Sequence, residues 1–408
     1  KQGIVADENN VKDLILDYKK LNASFFHDAS LHIAVITTRC NLACKYCQTK
    51  TSKEEDMTFE VAGRVLKYLF DVNNSNLTLE FQGGEPVLNW DVLSFLVENT
   101  RKFNTTGKKI TIALVTNLTL LDKKKMKFLT DFDVDICVSL DGPKDIHDKN
   151  RFFKKGKGTY DTVSKNFKIL KTQYKKRVRL LPTITKNSLN FYKEIIDEYV
   201  KWGEEEICLR PVNKLGLACS HWSSLGFSTD EFCEFYKNAM NYILELNKKG
   251  IPIHERITSV ILKKIFNKED PGYVDMMNPC GAGRSCIVYM PKGDCYPCDE
   301  ARITGEEMFK LGNILDENYA DLMKKENLLY LLESSLVNLW DYNSAFLPWI
   351  GTCPVLNYSE QKNMIPKISC SSTHKIYKHQ FNYVFEKILE DEENLKIFKN
   401  WVDRGGDK

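Results

Sequence analysis

The sequence predicts an α/β protein in which a partial (β/α)6 TIM-like barrel is followed by a C-terminal cysteine-rich domain. Three observations predict this fold class. Six apolar, strand-like segments alternate with amphipathic, helix-like segments, and such alternation is typical of a parallel sheet with right-handed crossovers. Three cysteines, Cys40, Cys44 and Cys47, lie directly after the first strand-like segment. Four more cysteines are concentrated between Cys280 and Cys298, where the regular alternation ends.

The composition excludes several classes of protein. With 408 residues, the chain is too long for one ordinary hydrophobic core, so two or three domains are expected. A net charge of only +3 gives no electrostatic support for a nucleic-acid partner. No apolar run approaches the roughly 20 residues that span a bilayer, and no signal peptide is present, so no membrane partner is expected. Thirteen cysteines in such a chain indicate metal ligation or catalysis in a reducing cytoplasm, not disulfides.

The expected elements follow in chain order. Helical spacing of apolar residues within 1–30 predicts an N-terminal helix or cap. The segment 31–38 is apolar throughout and rich in β-branched residues, which is typical of a strand buried on both faces. The expected strands are 31–38, 76–81, 109–117, 134–141, 178–185 and 205–212. The expected helices of the remaining chain are 58–72, 89–103, 122–132, 159–173, 190–203, 229–250, 257–266 and 377–402, the last perhaps as two helices.

These elements divide the chain into five parts. Six βα repeats, fewer than the eight of a closed barrel, predict an open partial barrel over residues 31–215. Residues 216–275 are interpreted as a helical bridge without sites, because they add helices but no clustered polar motif. The cysteine-rich domain is expected over 276–375 and a C-terminal helix over 376–408.

The motif CNLACKYC spaces Cys40, Cys44 and Cys47 as C-x-x-x-C-x-x-C. Three thiolates can each bind one iron of a [4Fe-4S] cluster, which leaves the fourth iron open for a ligand from outside the protein. The alternatives are a structural zinc site or chance. Structural zinc sites usually combine two cysteine pairs into four closed ligands, whereas the nearest other cysteine here is Cys137.

Polar and glycine residues follow strand after strand of the expected barrel. Active sites of such barrels lie at the C-terminal ends of the strands, so these residues are expected to share one site. Turn chemistry alone would explain one or two of them. The residues in question are Cys40, Gly83, Gly84, Glu85, Asn117, Ser139, Asp141 and Arg210.

With Tyr46 preceding the third cysteine, this motif resembles the core motif of the radical S-adenosylmethionine (SAM) enzymes. The resemblance implies that SAM chelates the open iron, and that reduction of the cluster cleaves SAM to methionine and a 5'-deoxyadenosyl radical that abstracts a hydrogen atom. It also implies that Gly83, Gly84 and Glu85 bind the amino group of SAM, although a tight turn would explain the glycine pair. Gln82 is expected to face SAM or the substrate.

Further residues are assigned to SAM through the same resemblance. The segment SLDGP is similar to the ribose-contacting segment of the family, with Ser139 and Asp141 as hydrogen-bonding groups. Arg151 is placed like the arginine that pairs with the carboxylate of SAM, the alternative being a surface arginine. Asn117 and Arg210, both at strand ends, are assigned to the cofactor site.

The C-terminal cysteine block resembles the SPASM (twitch-like) extension of radical SAM enzymes that modify ribosomally made peptides. Cys280 and Cys298 fit the opening of its pattern, and the resemblance implies an auxiliary [4Fe-4S] cluster completed by Cys353 and either Cys286 or Cys295. Cys286 is the preferred fourth ligand. The alternative is a zinc-stabilised knuckle.

The sequence departs from the SPASM pattern where a second auxiliary cluster would be bound. Asp341, Ser344 and Ile350 stand where three cysteines are expected, and an isoleucine cannot ligate iron. The second cluster is therefore expected to be absent, with Cys370 left over. Asp299 directly follows Cys298, as does a catalytic base in protein-oxidising members, so the same role is expected for Asp299.

Over nearly the whole chain, the stretches EFQGGEPVLN, CGAGRSC and CPVLNYSEQ resemble the peptide maturases of His-Xaa-Ser systems. This implies an enzyme that forms a thioether or carbon–carbon cross-link, or oxidises a residue, in a precursor peptide, with flavodoxin or ferredoxin as reductant. The alternatives are sulfatase-type formylglycine formation, a radical SAM enzyme for a small molecule, and a zinc-stabilised, non-catalytic peptide-binding protein.

Overall fold

The structure is a computed structural model that describes residues 28–49, 53–105, 107–176, 178–267, 271–337 and 346–404. The expected N-terminal helix lies outside these residues. The strands are β1 Leu31–Thr37, β2 Asn76–Gly83, β3 Lys109–Thr116, β4 Asp135–Ser139, β5 Val178–Leu181, β6 Thr183–Ile184, β7 Glu206–Ile207, β8 Arg210–Pro211, β9 His254–Glu255, β10 Cys286–Tyr289, β11 Asp294–Tyr296 and β12 Gly312–Asn313.

The α-helices alternate with the strands through the barrel and then dominate the second half of the chain. They are α1 Phe59–Asp71, α2 Trp90–Lys102, α3 Lys123–Asp131, α4 Lys144–Asn150, α5 Tyr160–Gln173, α6 Tyr192–Lys201, α7 Leu217–Ser220, α8 Trp222–Leu225, α9 Thr229–Lys248, α10 Arg256–Phe266, α11 Asp299–Thr304, α12 Tyr319–Leu322, α13 Glu326–Val337, α14 Leu347–Ile350, α15 Pro354–Gln361, α16 Ser372–Glu390 and α17 Glu392–Arg404. Short 3-10 turns connect several of them, one at Pro86–Asn89 directly after β2.

An eight-stranded sheet runs in the order β12-β11-β10-β1-β2-β3-β4-β5. Strands β1 to β5 pair in parallel, as the alternation of strands and helices predicts. Six of the seven residues of β1 are buried, because helices and sheet cover both of its faces. All five strands therefore end at one edge of the sheet, and the loops that follow them meet there.

The last two predicted barrel strands are interrupted. The segment 178–185 divides into β5 and β6 at Pro182, which has no backbone N–H to donate to a neighbouring strand. The segment 205–212 divides into β7 and β8, and β8 pairs with β6 while β7 pairs with β9. The prediction of one continuous strand at each place was wrong, and the barrel stays open on this side.

The cysteine-rich segment extends the barrel sheet, which the sequence analysis did not predict. Strand β10 pairs in parallel with β1, with Cys286 opposite Leu31, and β11 and β12 then continue antiparallel. These strands are only two to four residues long and are separated by turn residues such as Gly293. Segments this short show no recognisable periodicity in the sequence. The pairing fixes the cysteine-rich segment directly beside β1, the strand that leads into the first cysteine motif.

Helices from the bridge and the C-terminus form one layer. Helix α9 begins with a capping box in which Ser228 and Glu231 bond reciprocally. It packs against α16, and Tyr383 donates a hydrogen bond to Asn241 Oδ1 at 2.9 Å. Helix α17 closes the layer, with Trp401 Nε1 donating to Asn247 Oδ1 at 3.3 Å. Among the described residues, none of these helices combines the length and apolarity needed to cross a bilayer.

Candidate active site

The loop that carries the first three cysteines follows β1 and is anchored on both sides. Its backbone donates hydrogen bonds from Ala43 to the carbonyl of Phe152 at 2.9 Å and from Lys45 to the carbonyl of Asn150 at 3.0 Å. The Cys47 N–H donates to the Cys44 carbonyl at 3.3 Å. All three thiols are free and partly buried, so the loop presents them together at the C-terminal edge of the sheet.

The environment of these thiols favours a bound metal over free thiolates. Burial raises the pKa of Cys40 to about 11 and that of Cys44 to about 12, while the Arg151 guanidinium acts in the opposite direction on both. Among the described residues, no three cysteine, histidine or acidic side chains are placed to hold one metal ion. The thiolates of a [4Fe-4S] cluster each bind a different iron, so the donor set and its spacing fit such a cluster.

The glycine pair after β2 packs against the residues that lead into the cysteine loop. A Cβ on Gly83 would lie 2.2 Å from the carbonyl oxygen of Thr37, and one on Gly84 would lie 2.3 Å from that of Arg39. Gly84 and Glu85 donate backbone hydrogen bonds to these same two carbonyls, at 2.9 and 2.8 Å. The close approach predicted for the pair is therefore made to the backbone of 37–39, where a side chain would displace the cysteine loop.

Glu85 is fully buried and joins the ends of two strands. Its carboxylate accepts hydrogen bonds from the Thr116 hydroxyl and the Asn117 N–H, both at 2.7 Å, and from the Val87 N–H at 3.3 Å. Burial raises its pKa to about 7 despite these three donors. The Asn117 amide in turn donates to Asn41 Oδ1 at 2.9 Å, beside Cys40. Glu85 and Asn117 thus hold the end of β3 against the cysteine loop.

Asp141 forms the centre of a buried ionic group. The Tyr46 hydroxyl donates to both of its oxygens, at 2.8 and 2.7 Å, and Arg151 Nε donates at 3.2 Å. The Thr183 N–H adds a bond at 3.2 Å, and the Arg151 guanidinium lies 5.1 Å from the centre of the Tyr46 ring. Asp141 and Arg151 therefore form an ion pair with each other. Their contacts to SAM remain predictions. Arg151 would make its contact through donors other than the Nε–H that bonds Asp141.

Ser139 and Gln82, which are also assigned to the cofactor, lie in two different environments. Ser139 ends β4, is partly exposed, and lies opposite Leu181 of β5. Gln82 bonds within the protein, since its amide nitrogen donates to Glu80 at 2.6 Å and its oxygen accepts from Arg302 at 2.8 Å. Gln82 therefore links β2 to the cysteine-rich segment.

The structure brings together the four cysteines preferred as ligands of an auxiliary cluster. Cys280, Cys286 and Cys298 are buried and Cys353 is partly buried, and all four are free thiols. The Cys298 thiol is close enough to the other three that each would raise its pKa further, beyond the large effect of burial. Four neighbouring free thiols, three of them buried, are a donor set suited to a cluster, and binding the cluster would offset the cost of ionising them.

Cys295 stands apart from this group. It lies on β11 opposite Tyr289, and the charged groups that act on its pKa are Asp294 and Glu317 instead of the four cysteines. This placement favours Cys286 over Cys295 as the fourth ligand. Ile350 is fully buried. Asp341 and Ser344, the other departures from the SPASM pattern, lie outside the described residues, and Cys370 is exposed on the surface.

Asp299 begins α11 immediately after Cys298, which caps this helix. It forms an ion pair with Arg302, from Nε to Oδ1 at 2.7 Å, and Arg302 is the residue that also bonds Gln82. A chain of hydrogen bonds therefore runs from Glu80 on β2 through Gln82 and Arg302 to Asp299. The role of Asp299 as a base stays a prediction.

Arg210 lies on β8 opposite Thr183 of β6, whose N–H donates to Asp141 at 3.2 Å. Its Nη2 donates to Glu300 Oε1 at 3.2 Å, and the other carboxylate that acts most on its pKa is Asp275. Arg210 also lines a cavity of about 260 Å³ together with Asp275, Glu300 and Cys353. The assignment of Arg210 to the cofactor site stays a prediction.

Sequence reasoning missed the other polar residues of this cavity. Asp275 comes from the bridge, which was expected to carry no sites, and Thr373, Tyr377 and Gln380 come from α16. A signal was available, because Thr373, Ile376, Tyr377 and Gln380 recur at helical spacing and therefore share one face.

Comparison with known proteins gives consistent results. Residues 34–206 match the radical SAM superfamily. The chain is 26% identical over 385 residues to the cysteine-type anaerobic sulfatase-maturating enzyme of Clostridium perfringens (strain 13), covering 90% of this chain and 99% of that protein. It is 27% identical over 296 residues to the antilisterial bacteriocin subtilosin biosynthesis protein AlbA of Bacillus subtilis (strain 168), covering 70% and 58% of the two chains.

A solved structure, native anSMEcpe with bound AdoMet and the Kp18Cys peptide, has the same fold. Its TM-score is 0.76 at 23% identity, and the match covers 91% of this chain and 99% of that one. These findings confirm the predicted fold class and the predicted [4Fe-4S] cluster with S-adenosylmethionine.

Proposed function

We propose that this chain, a radical SAM enzyme, modifies one residue of a ribosomally made peptide after abstracting a hydrogen atom from it. The products expected from the sequence are a thioether, a carbon–carbon cross-link or an oxidised residue. The observation that carries the proposal is the cavity that contains Arg210. Its walls come from the open side of the barrel and from Cys353, so a substrate bound there would lie between the two sets of cysteines.

The first set, Cys40, Cys44 and Cys47, would hold the catalytic cluster. When bound, such a cluster supplies the electron that cleaves SAM, and the resulting carbon radical removes a hydrogen atom from the substrate. The loop's anchoring to residues 150–153 keeps the three thiols in place without a fourth protein ligand. An open position is what distinguishes a catalytic metal site from a closed structural one.

Other residues of the chain would orient SAM and stabilise its charge. Arg151 is held by Asp141 and Tyr46, so its guanidinium has little freedom and its remaining donors can bind a carboxylate bidentately. Glu85 fixes the end of β3 and Asn117 beside Cys40. Because Glu85 and Asp141 are fully buried, water has little access to this part of the site.

The second set would hold one auxiliary cluster through Cys280, Cys286, Cys298 and Cys353. Four protein ligands leave no open iron, so the role of these residues is to keep a redox centre near the substrate and to stabilise the local fold. The pairing of β10 with β1 holds this set at a fixed position relative to the cysteine loop. The residues that would hold the two clusters are therefore attached to neighbouring strands of one sheet.

Peptide substrates are supported by what the similar proteins bind or act on. The structure of anSMEcpe contains a bound peptide, and AlbA is a protein of bacteriocin biosynthesis. A second candidate function is formylglycine formation in a sulfatase. It is favoured by the cysteine-type maturating enzyme, which this chain matches over 99% of that protein's length.

The two candidates are separated by product mass. The cluster-reconstituted enzyme is incubated under anaerobic conditions with SAM and dithionite and with two peptides, one a cysteine-containing sulfatase segment and one a His-Xaa-Ser precursor. A cross-link or thioether lowers the mass by two hydrogens, whereas formylglycine formation from cysteine also replaces sulfur by oxygen. Cleavage of SAM without change in either peptide would contradict both candidates and favour a small-molecule substrate.

A further inference from the structure

The cavity beside Arg210 is built from three separate parts of the chain. Residues 208–214 after β7 form one wall, residues 273–275 form a second, and the first turns of α16 form a third. The segment that carries Asn213 is also bonded to the cysteine loop, since Gln48 donates to the Asn213 carbonyl at 2.9 Å. At about 260 Å³ the cavity is smaller than the roughly 300 Å³ of the smallest drug-sized sites, which suits one side chain.

Charged groups in the cavity leave an excess of negative charge. Arg210 and Lys214 face the carboxylates of Asp275, Glu300 and Glu360. Arg210 bonds Glu300 at 3.2 Å, and Glu360 accepts hydrogen bonds from Ser372. The Arg210 charge is therefore shared between the Glu300 and Asp275 carboxylates, and Asp275 also bonds the Tyr273 side chain. Carboxylates outnumber cations in the lining, so the cavity favours a cationic ligand over an anionic one.

Gln380 provides an independent indication of a ligand. Its side chain lines the cavity and is only 3% exposed, yet within the described chain its Oε1 has no hydrogen-bond donor. A buried amide oxygen is normally bonded, and each exception requires an explanation such as a missing ligand. The unused group is an acceptor, so the ligand must bring an N–H or O–H donor.

Aromatic rings complete the lining. Tyr273 and Tyr377 line the cavity together with the carboxylates. Trp222 also lines it, and Lys214 Nζ lies 5.9 Å from the centre of the Trp222 ring. Aromatic faces attract ammonium and guanidinium groups and also cover the methylene stem of a long side chain. A site for an anion would instead place several unpaired cations here.

We propose that this cavity binds one lysine or arginine side chain of the substrate peptide, with Asp275 and Gln380 as the groups that select it. The inference rests on the proposed peptide-modifying function and names the substrate feature that positions the reacting residue. The peptide side chain would add a positive charge next to the carboxylates and supply the N–H donor that Gln380 Oε1 lacks. Binding it would anchor the peptide between the two sets of cysteines.

The test measures peptide binding without turnover. Three blocked pentapeptides, acetyl-Gly-Gly-Xaa-Gly-Gly-amide with lysine, norleucine or glutamate as Xaa, are titrated into the reconstituted enzyme and followed by saturation-transfer NMR. We expect the lysine peptide to bind at least about 10-fold more tightly than the other two. Asp275→Asn should remove most of this preference, and Gln380→Glu should increase it because the added charge replaces a neutral acceptor of the same shape.

The matched control is Lys375→Ala on the exposed face of the same helix, α16, which should leave the preference unchanged. Equal binding of lysine and norleucine peptides, or a preference for glutamate, would overturn the proposal. So would an unchanged preference in a folded Asp275→Asn variant. Cleavage of SAM in the absence of peptide is measured in parallel, and its loss in the wild type would instead contradict the proposed function.

Discussion

The two sets of cysteines differ in number, exposure and surroundings. The barrel set has three thiols in a loop that is partly open to solvent and stands beside the cation Arg151. The C-terminal set has four thiols, three of them buried, and the charges nearest to Cys298 include the carboxylate of Glu300. Three ligands and an adjacent cation suit a cluster that binds a charged cofactor. Four enclosed ligands suit a cluster that stores electrons and holds the fold together.

The largest effect is expected from removing a cysteine of the barrel set. Cys44→Ala should abolish cleavage of SAM to 5'-deoxyadenosine, because the remaining two thiolates cannot hold the cluster. Iron per chain should fall from about eight to about four. Chromatography of 5'-deoxyadenosine together with iron analysis provides the measurement, and full SAM cleavage by this variant would contradict the assignment.

Cys298→Ala tests whether the two sets of cysteines have different roles. It should lose about as much iron as Cys44→Ala but affect a different activity. Modification of the peptide should be lost, while cleavage of SAM in the absence of peptide persists within about twofold. The exposed Cys370 supplies the control, and Cys370→Ala should keep about eight irons. If Cys298→Ala retained all of its iron, or if zinc replaced the iron in the wild type, the C-terminal set would not bind a cluster.

Removing the partner of Arg151 should destabilise the barrel side alone. Asp141→Ala leaves a buried guanidinium without its carboxylate, which costs about 3–5 kcal/mol in the free energy of unfolding. Chemical denaturation with Asp145→Ala as the surface control checks this. A loss equal to that of the control would mean that water or SAM already solvates Arg151.

Acid should destabilise the same region through His147. Burial lowers the pKa of this histidine from 6.5 to about 4, and its ring accepts a hydrogen bond from the Asp141 N–H at 3.3 Å. A histidine that is buried in neutral form contributes stability above pH 6.5 that is lost as the pH falls through 4. We expect His147→Asn to reduce the pH dependence of unfolding over this interval by about 3 kcal/mol. An identical slope in both proteins would contradict the assignment.

The smallest effect is expected from Tyr46→Phe. The variant loses the hydroxyl that donates to the Asp141 carboxylate but keeps the ring beneath Arg151, so about 2 kcal/mol of stability should be lost. SAM affinity, measured by equilibrium dialysis, should fall by less than about 10-fold. A complete loss of SAM binding would indicate direct contact between this hydroxyl and SAM.

Much of the barrel could be predicted from sequence because its signals are local. Buried strands such as β1 are apolar throughout, and the helices that follow them have clear periodicity. The interruption at Pro182 carried a signal too, since proline cannot donate a ladder hydrogen bond. The extension of the sheet by β10 could not be predicted in this way, because Leu31 and Cys286 pair across a separation of 255 positions and the pairing depends on tertiary packing.

The candidate site was predictable as a set of residue types but not as a set of contacts. Cysteine spacing identified the barrel motif, whereas the bond between Asp141 and Arg151 depends on how α4 packs. Gln82 and Arg302 illustrate the same limit, since their hydrogen bond joins residues 220 positions apart. The helical spacing of Gln380 predicts which face of α16 it shares, but only the structure shows that this face meets Asp275 in one cavity.

The unequal ligation of the two clusters is tested most directly by electron paramagnetic resonance of the dithionite-reduced enzyme with and without SAM. The wild type, Cys44→Ala and Cys298→Ala are compared. We predict that SAM changes the spectrum of one cluster only, and that this signal is absent from Cys44→Ala and retained in Cys298→Ala. A SAM-dependent change that persists in Cys44→Ala, or one that disappears in Cys298→Ala, would contradict the assignment of the open iron to the barrel loop.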